Sequence, residues 1–203
     1  AIIEKKDLEK IAKVRLQHDL HVISDEIYAE LTDNGKNHVS IASIDGMAER
    51  TVVLNGFAKS FSMTGWRLGY AAGPKELMKA INKVHAYIIM CAPSMSQYGA
   101  VEALSDDAKC DADVSAMRTA YDQRRRYLVD ALNDMGLTCF EPEGAFYVFP
   151  SIAKTGLSAQ QFCEKLLYDA GVAVVPGDAF GASGEQHVRI SYAYSMEQLQ
   201  TAM

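Results

Sequence analysis

No apolar run in these 203 residues approaches the ~20 needed to cross a bilayer, and no signal peptide opens the chain. A membrane protein is not expected. Cysteine is scarce and unpatterned. Cys91, Cys110, Cys139 and Cys163 include no C-x-x-C pair, and no histidine stands near one at metal-ligand spacing. Four reduced thiols of a cytoplasmic protein, with no metal site, are the expectation. A basic excess is also missing: net charge is −6, with both signs dispersed, which argues against a nucleic-acid partner. Glycine and proline, at 14 and 5, are too few for a disordered chain, and no internal repeat is visible.

With 49 % hydrophobic residues, the chain can bury a core of its own. Leu8, Ile11 and Ala12 recur at helical spacing, so Asp7 to His18 is predicted to be an amphipathic helix. His21-Val22-Ile23 is a short apolar strand running into Ser24-Asp25-Glu26. Thr51–Leu54, ended by Asn55-Gly56, and Leu68–Ala72, ended by Gly73-Pro74, are two more. A helix with Leu77, Ile81, Val84 and Ile88 on one face follows. Strands alternating with helices imply an α/β sheet, parallel in large part.

The second half changes character. Val114, Met117, Tyr121, Leu128, Leu132 and Met135 draw one stripe along a long helix that stops at Gly136. Arg124, Arg125 and Arg126 within it are expected on a solvated face. Strand-like segments near Leu137–Phe140 and Ala145–Phe149, a helix from Ser158 to Ala170 closed by Gly171, and strands Val172–Val175 and Val188–Tyr192 complete the pattern. They suggest a smaller α+β domain over 109–203, after a first domain over 1–108. Ser195 and Gln198 form a capping-box pair for a last helix that ends at Met203 after about two turns. Ala1 to Lys6 contain no Met. A portion of a longer protein, truncated at the end of its second domain, is therefore expected.

The segment from Asn55 to Tyr70, N-G-F-A-K-S-F-S-M-T-G-W-R-L-G-Y, is the most informative in the chain. Lys59 follows a strand, and Arg67 stands eight positions later. A lysine in a partly enclosed site can lose its proton and attack an aldehyde. An arginine beside it offers a fixed fork of donors to a phosphate. Gly65 and Gly69 permit tight backbone around the two. An arbitrary lysine and arginine at this spacing would be surface residues. The whole string, however, closely resembles the lysine signature of the class I/II (fold type I) aminotransferases, K-x-x-x-x-x-G-W-R-x-G-Y.

That resemblance implies pyridoxal 5′-phosphate (PLP) as cofactor, with Lys59 as the Schiff-base lysine and Arg67 as the phosphate arginine. Many relatives carry serine just before the lysine, where its hydroxyl helps hold the phosphate; this chain has Ala58. Asp25-Glu26-Ile27-Tyr28 is similar to the family's D-E-x-Y motif. Asp25 ends a strand, where open α/β sheets bind ligands. It matches the carboxylate that keeps the pyridine nitrogen protonated. Tyr28 matches the donor to the ring's phenolic oxygen. Glu26 would point the other way and is given a structural role. Arg189, one charge in the apolar stretch His187–Tyr192, matches the arginine that binds the substrate's α-carboxylate. Segments 143–147 and 175–181 match parts of the family that border the site, although turn and core residues would account for them equally well.

The resemblance covers essentially all 203 residues and implies the large-domain part plus small domain of the PLP-transferase fold. The first nine residues resemble the stretch after the family's N-P-x-N-P-T-G motif, so an asparagine to the ring oxygen, a phosphate loop and a stacking aromatic ring are expected upstream. Such a sheet exposes edges and apolar surface, which favours association. The implied activity is amino transfer between a 2-amino acid, aspartate or aromatic-like, and a 2-oxo acid, in a homodimer whose chain portion is inactive alone. A PLP lyase or synthase on the same fold, a regulatory domain sensing PLP or an amino acid, and an inert fragment remain as alternatives.

Overall fold

The computed structural model describes residues 2–203, apart from the side chains at 107 and 108. Ala1, the first residue of the stretch compared above with the N-P-x-N-P-T-G flank, lies outside the described residues. The chain divides into two compact units, Ala1–Ala116 and Met117–Met203, with the division inside a long helix. Among the described residues, no helix is long and apolar enough to cross a membrane.

In the first unit, α1 (Lys5–Gln17) carries Leu8 and Ala12 inward at the expected spacing. With Ile41 and Met47 they form one apolar core, against which Ile11, Val22, Val39 and Ile44 pack. Leu8, Ile41 and Met47, each buried, contribute about 1.5–3 kcal/mol apiece. The sheet has the order β1 (Val22–Asp25), β2 (Thr51–Gly56), β3 (Gly69–Ala72). β1 and β2 are parallel, with Asp25 opposite Leu54. β3 is antiparallel to β2, with Gly56 opposite Gly69. β3 is thus the antiparallel strand of this three-stranded sheet. Its connection from β2 contains a single 3-10 turn (Thr64–Trp66) and no helix able to carry the chain back for a parallel return.

α2 (Lys75–Ile88) and α3 (Ser94–Ala103) follow. The apolar stripe of α2 exists as predicted, yet Val84, Tyr87 and Ile88 are 58 %, 89 % and 71 % exposed. A second core, Phe57, Met63 and Ala100 with Phe61 and Leu68, joins α3 to the β2–β3 loop.

α4 (Asp107–Asp134) runs into the second unit and ends before Gly136, whose φ of 82° favours glycine. Leu128 and Leu132 are buried, as the stripe requires. Arg125 is not on a solvated face. It is 0 % exposed and makes salt bridges to Asp122 and Glu141, while Arg126 stays exposed beside Asp122. A guanidinium can be buried there because two carboxylates match its charge, information that a run of arginines does not contain.

Leu137–Phe140 forms no strand, and the Ala145–Phe149 prediction shrinks to β4 (Tyr147–Val148). Thr138 instead accepts one backbone bond, from the Ser151 N–H at 2.8 Å. α5 (Ala159–Ala170) starts at a capping box between Ser158 and Gln161 and ends at left-handed Gly171. β5 (Val175–Pro176) and β6 (Val188–Ser191) complete a sheet ordered β4-β6-β5, antiparallel throughout. Ile152, Ala159, Cys163 and Val188 form the core between this sheet and α5. α6 (Met196–Ala202) begins at the predicted Ser195–Gln198 capping box. No disulfide joins the four cysteines, and burial pushes the Cys139 and Cys163 thiols up, away from reactivity.

Candidate active site

Four polar residues gather where β1 and β2 end and β3 begins. Asp25 is the last residue of β1, exposed, and its Oδ1 accepts the Ile27 N–H at 3.2 Å. That bond turns the chain sharply, and Tyr28 follows in the turn, half-buried. Glu26, between them, points into the protein. Its carboxylate accepts from the Ser24 and Ser40 hydroxyls at 3.0 and 2.7 Å and lies 2.8 Å from His38 Nε2. The Glu26 N–H donates to the Leu54 carbonyl at 2.8 Å, tying this turn to β2. Adjacent carboxylates thus separate, one outward and one buried, as alternation along the strand requires.

Lys59 lies three positions past the end of β2, and its Nζ stands 5.9 Å from the centre of the Tyr28 ring. The loop that carries it is closed by backbone bonds from Ser62 N–H to Lys59 O and from Met63 N–H to Phe57 O, both 3.2 Å. Buried Phe57 anchors it, with its ring 5.3 Å from Phe61 and 6.0 Å from Tyr70. Ser62 and Arg67 adopt left-handed backbone, φ 53° and 52°, at a cost of about 1–2 kcal/mol each. Such strain persists where the surroundings over-determine the conformation. Here Ser96 supplies part of that constraint by donating to the Trp66 carbonyl at 2.6 Å. Gly99 supplies another part, because a Cβ there would meet the Trp66 ring at 2.5 Å. Arg67 is exposed, and its Nη1 donates to the Thr64 carbonyl at 3.0 Å. β2 and β3 close the floor at Gly56 and Gly69, where a Cβ on Gly56 would stand 2.8 Å from Gly69 Cα.

This donor set fits PLP. An amine, a guanidinium, a carboxylate and a phenol meet the needs of its aldehyde, phosphate, pyridine nitrogen and ring oxygen, at the strand ends where open α/β sheets hold ligands. Ala58, half-buried beside Lys59, provides no hydroxyl.

Arg189 belongs to the second unit, on the middle strand β6, opposite Val175. It is half-buried, with its Cζ 4.4 Å from the centres of both the Tyr147 and the Phe180 rings. These two aromatics were not singled out by sequence reasoning. They fall in the segments 143–147 and 175–181 that border the site, but their convergence on one guanidinium depends on long-range strand pairing.

The folded chain has an α/β unit with polar residues at its strand ends and an α+β unit with a ring-flanked arginine. Comparison with known proteins gives this class its family. A family model, "Aminotransferase class I and II", matches residues 1–203. The aspartate aminotransferase of Pyrococcus abyssi is 49 % identical over 203 residues, which cover 100 % of this chain and 52 % of that protein. Among solved structures, an aromatic aminotransferase from Pyrococcus horikoshii matches with a TM-score of 0.95 and 48 % identity, over 100 % of this chain and 54 % of that one. An aspartate aminotransferase from Thermus thermophilus with maleate matches at 0.93 and 40 %, over 100 % and 51 %. The chain belongs to the class I and II aminotransferase family, whose members are PLP-dependent, and it has the fold of the PLP fold type I aminotransferases. It spans about half the length of the relatives it matches.

Proposed function

We propose that this chain supplies Lys59, Asp25, Tyr28, Arg67 and Arg189 to an aminotransferase that moves an amino group between a 2-amino acid, aspartate or aromatic-like, and a 2-oxo acid. The observation that supports the reading is the Lys59 Nζ 5.9 Å from the centre of the Tyr28 ring, with Asp25 at the end of β1 and Arg67 two positions before β3. When bound, PLP supplies a ring that accepts the electron pair left on the substrate's α-carbon. Lys59 would hold the cofactor, and its Nζ, when free, would be the general base that moves the α-proton off the substrate's α-carbon. The Asp25 carboxylate keeps a proton on the pyridine nitrogen. The Tyr28 hydroxyl donates to the ring oxygen, and the Arg67 fork anchors the phosphate without help from position 58. Arg189 takes the substrate carboxylate in bidentate fashion and so fixes the direction of the α-C–H bond.

In this reading residues 1–108 belong to the large cofactor domain and 109–203 to the small one. The working protein is a cytoplasmic homodimer: family members are generally dimeric, and four cysteines outside any disulfide suit a reducing compartment. The test is amino transfer by the intact protein from aspartate or phenylalanine to 2-oxoglutarate. Glutamate forms in the wild type and falls by a factor of at least ~10³ in Lys59→Ala, which removes both anchor and base. Release of ammonia or pyruvate without glutamate would assign a lyase instead.

A further inference from the structure

A half-buried cation normally has an anionic partner. Arg189 has none among the described residues: no hydrogen bond or salt bridge reaches its guanidinium, and its contacts are the two rings at 4.4 Å. We propose that Tyr147 and Phe180 are positioning residues of the carboxylate site, covering the faces of the Arg189 guanidinium so that only its in-plane N–H donors meet a ligand. The inference rests on the role given to Arg189 above and adds the device that aims it.

The strand register builds this clamp. Tyr147 on β4 is opposite Ser191 of β6, and side chains two apart on a strand share a face, so Tyr147 and Arg189 lie diagonally on one face. Phe180 approaches from the other side of β6, at the end of the 3-10 turn Gly177–Phe180 that follows β5. That turn is fixed. The Gly177 N–H donates to the His187 carbonyl at 2.9 Å, and a Cβ on Gly177 would stand 2.3 Å from Gly184 O, so the backbones there admit no side chain. Phe180 meets Phe149 edge-on at 6.3 Å, and Phe149 stacks on His187 at 5.1 Å and 4°. The clamping ring is thus itself held from behind.

Guanidinium is weakly hydrated and planar, so ring faces can cover it while its donors stay available at the edge. Edge-only access matches a planar carboxylate, which accepts two parallel N–H bonds. A lysine at 189 would have neither the plane nor the fork.

The test is calorimetric titration of the intact holoenzyme with maleate. Phe180→Leu and Tyr147→Leu each weaken binding about tenfold, Arg189→Lys weakens it more, and Phe180→Tyr, which keeps the ring, binds as the wild type does. In kinetics the Leu variants raise KM for the amino acid and leave kcat within about twofold. Phe180 is 53 % exposed, so Phe180→Leu leaves the core in place. Undiminished maleate binding by Phe180→Leu, or no binding by the wild type, overturns the clamp. Maleate binding is read as heat, so it reports on the clamp even if Lys59 proves not to hold the cofactor, a result that would count only against the function proposed above.

Discussion

The middle of α4 and the middle of β6 each draw an arginine out of solvent, and they do it in opposite ways. Arg125 is closed off by Asp122 and Glu141, so its charge is matched within the fold. Arg189 is flanked by rings and has no carboxylate among the described residues, so its donors remain for something that arrives. In the sequence only Arg189 stands out as one charge among apolar neighbours, whereas Arg125 sits in a run of three arginines. In the proposed reading the partners decide which is a strut and which a socket: Arg125 is matched from within, and Arg189 is left for a substrate carboxylate.

The contrast predicts a crossed pattern of effects. Arg125→Ala empties a fully buried site and takes the partner from Glu141, while Asp122 keeps Arg126; it should cost about 3 kcal/mol in denaturant unfolding, with kcat/KM changed only as far as folding fails. Equal stability of this variant and the wild type would break the comparison. Arg189→Leu should do the reverse. KM for the amino acid rises about a hundredfold through two lost charge-assisted bonds, while stability moves by no more than about 0.5 kcal/mol. Gly56→Ala sharpens the first unit's side of the account. Its Cβ would meet Gly69 Cα at 2.8 Å, so the strands under the Lys59 loop must part, at about 1–3 kcal/mol of unfolding free energy.

The smallest effect is in acid. Burial pushes the Asp122 carboxyl up, but hydrogen bonds and charge from Arg125 and Arg126 outweigh it and hold the group below its ordinary 3.8. At the surface, the Lys6 hydrogen bond, then Lys36, lowers Glu4 from 4.5 to about 2. The folded state therefore binds fewer protons than the unfolded chain. The stabilisation is present above the ordinary values and is lost as pH falls through the lowered ones. Arg126→Gln should make acid unfolding below pH 4 shallower than in the wild type, as read by circular dichroism.

The residues that hold the proposed site were legible because short-range rules place them. The K-x-x-x-x-x-G-W-R string sets the β2–β3 loop, and D-E-x-Y sets the turn after β1. Local signals also gave α5 its Ser158–Gln161 box and Gly171 stop, and α6 its Ser195–Gln198 box. What depended on distant partners was not legible. The buried Arg125 needs Glu141, sixteen positions away. The clamp on Arg189 depends on pairing β6 with both β4 and β5. Leu137–Phe140 has strand-like composition but finds no strand partner, so composition alone misleads there.

The central claim is that Lys59 holds the cofactor, and covalent trapping tests it most directly. The intact protein is incubated with PLP, reduced with borohydride, digested and analysed by mass spectrometry. The account predicts a phosphopyridoxyl mass on the peptide containing Lys59 and on no other stoichiometrically. Stoichiometric label on another lysine, with Lys59 unmodified, would contradict it.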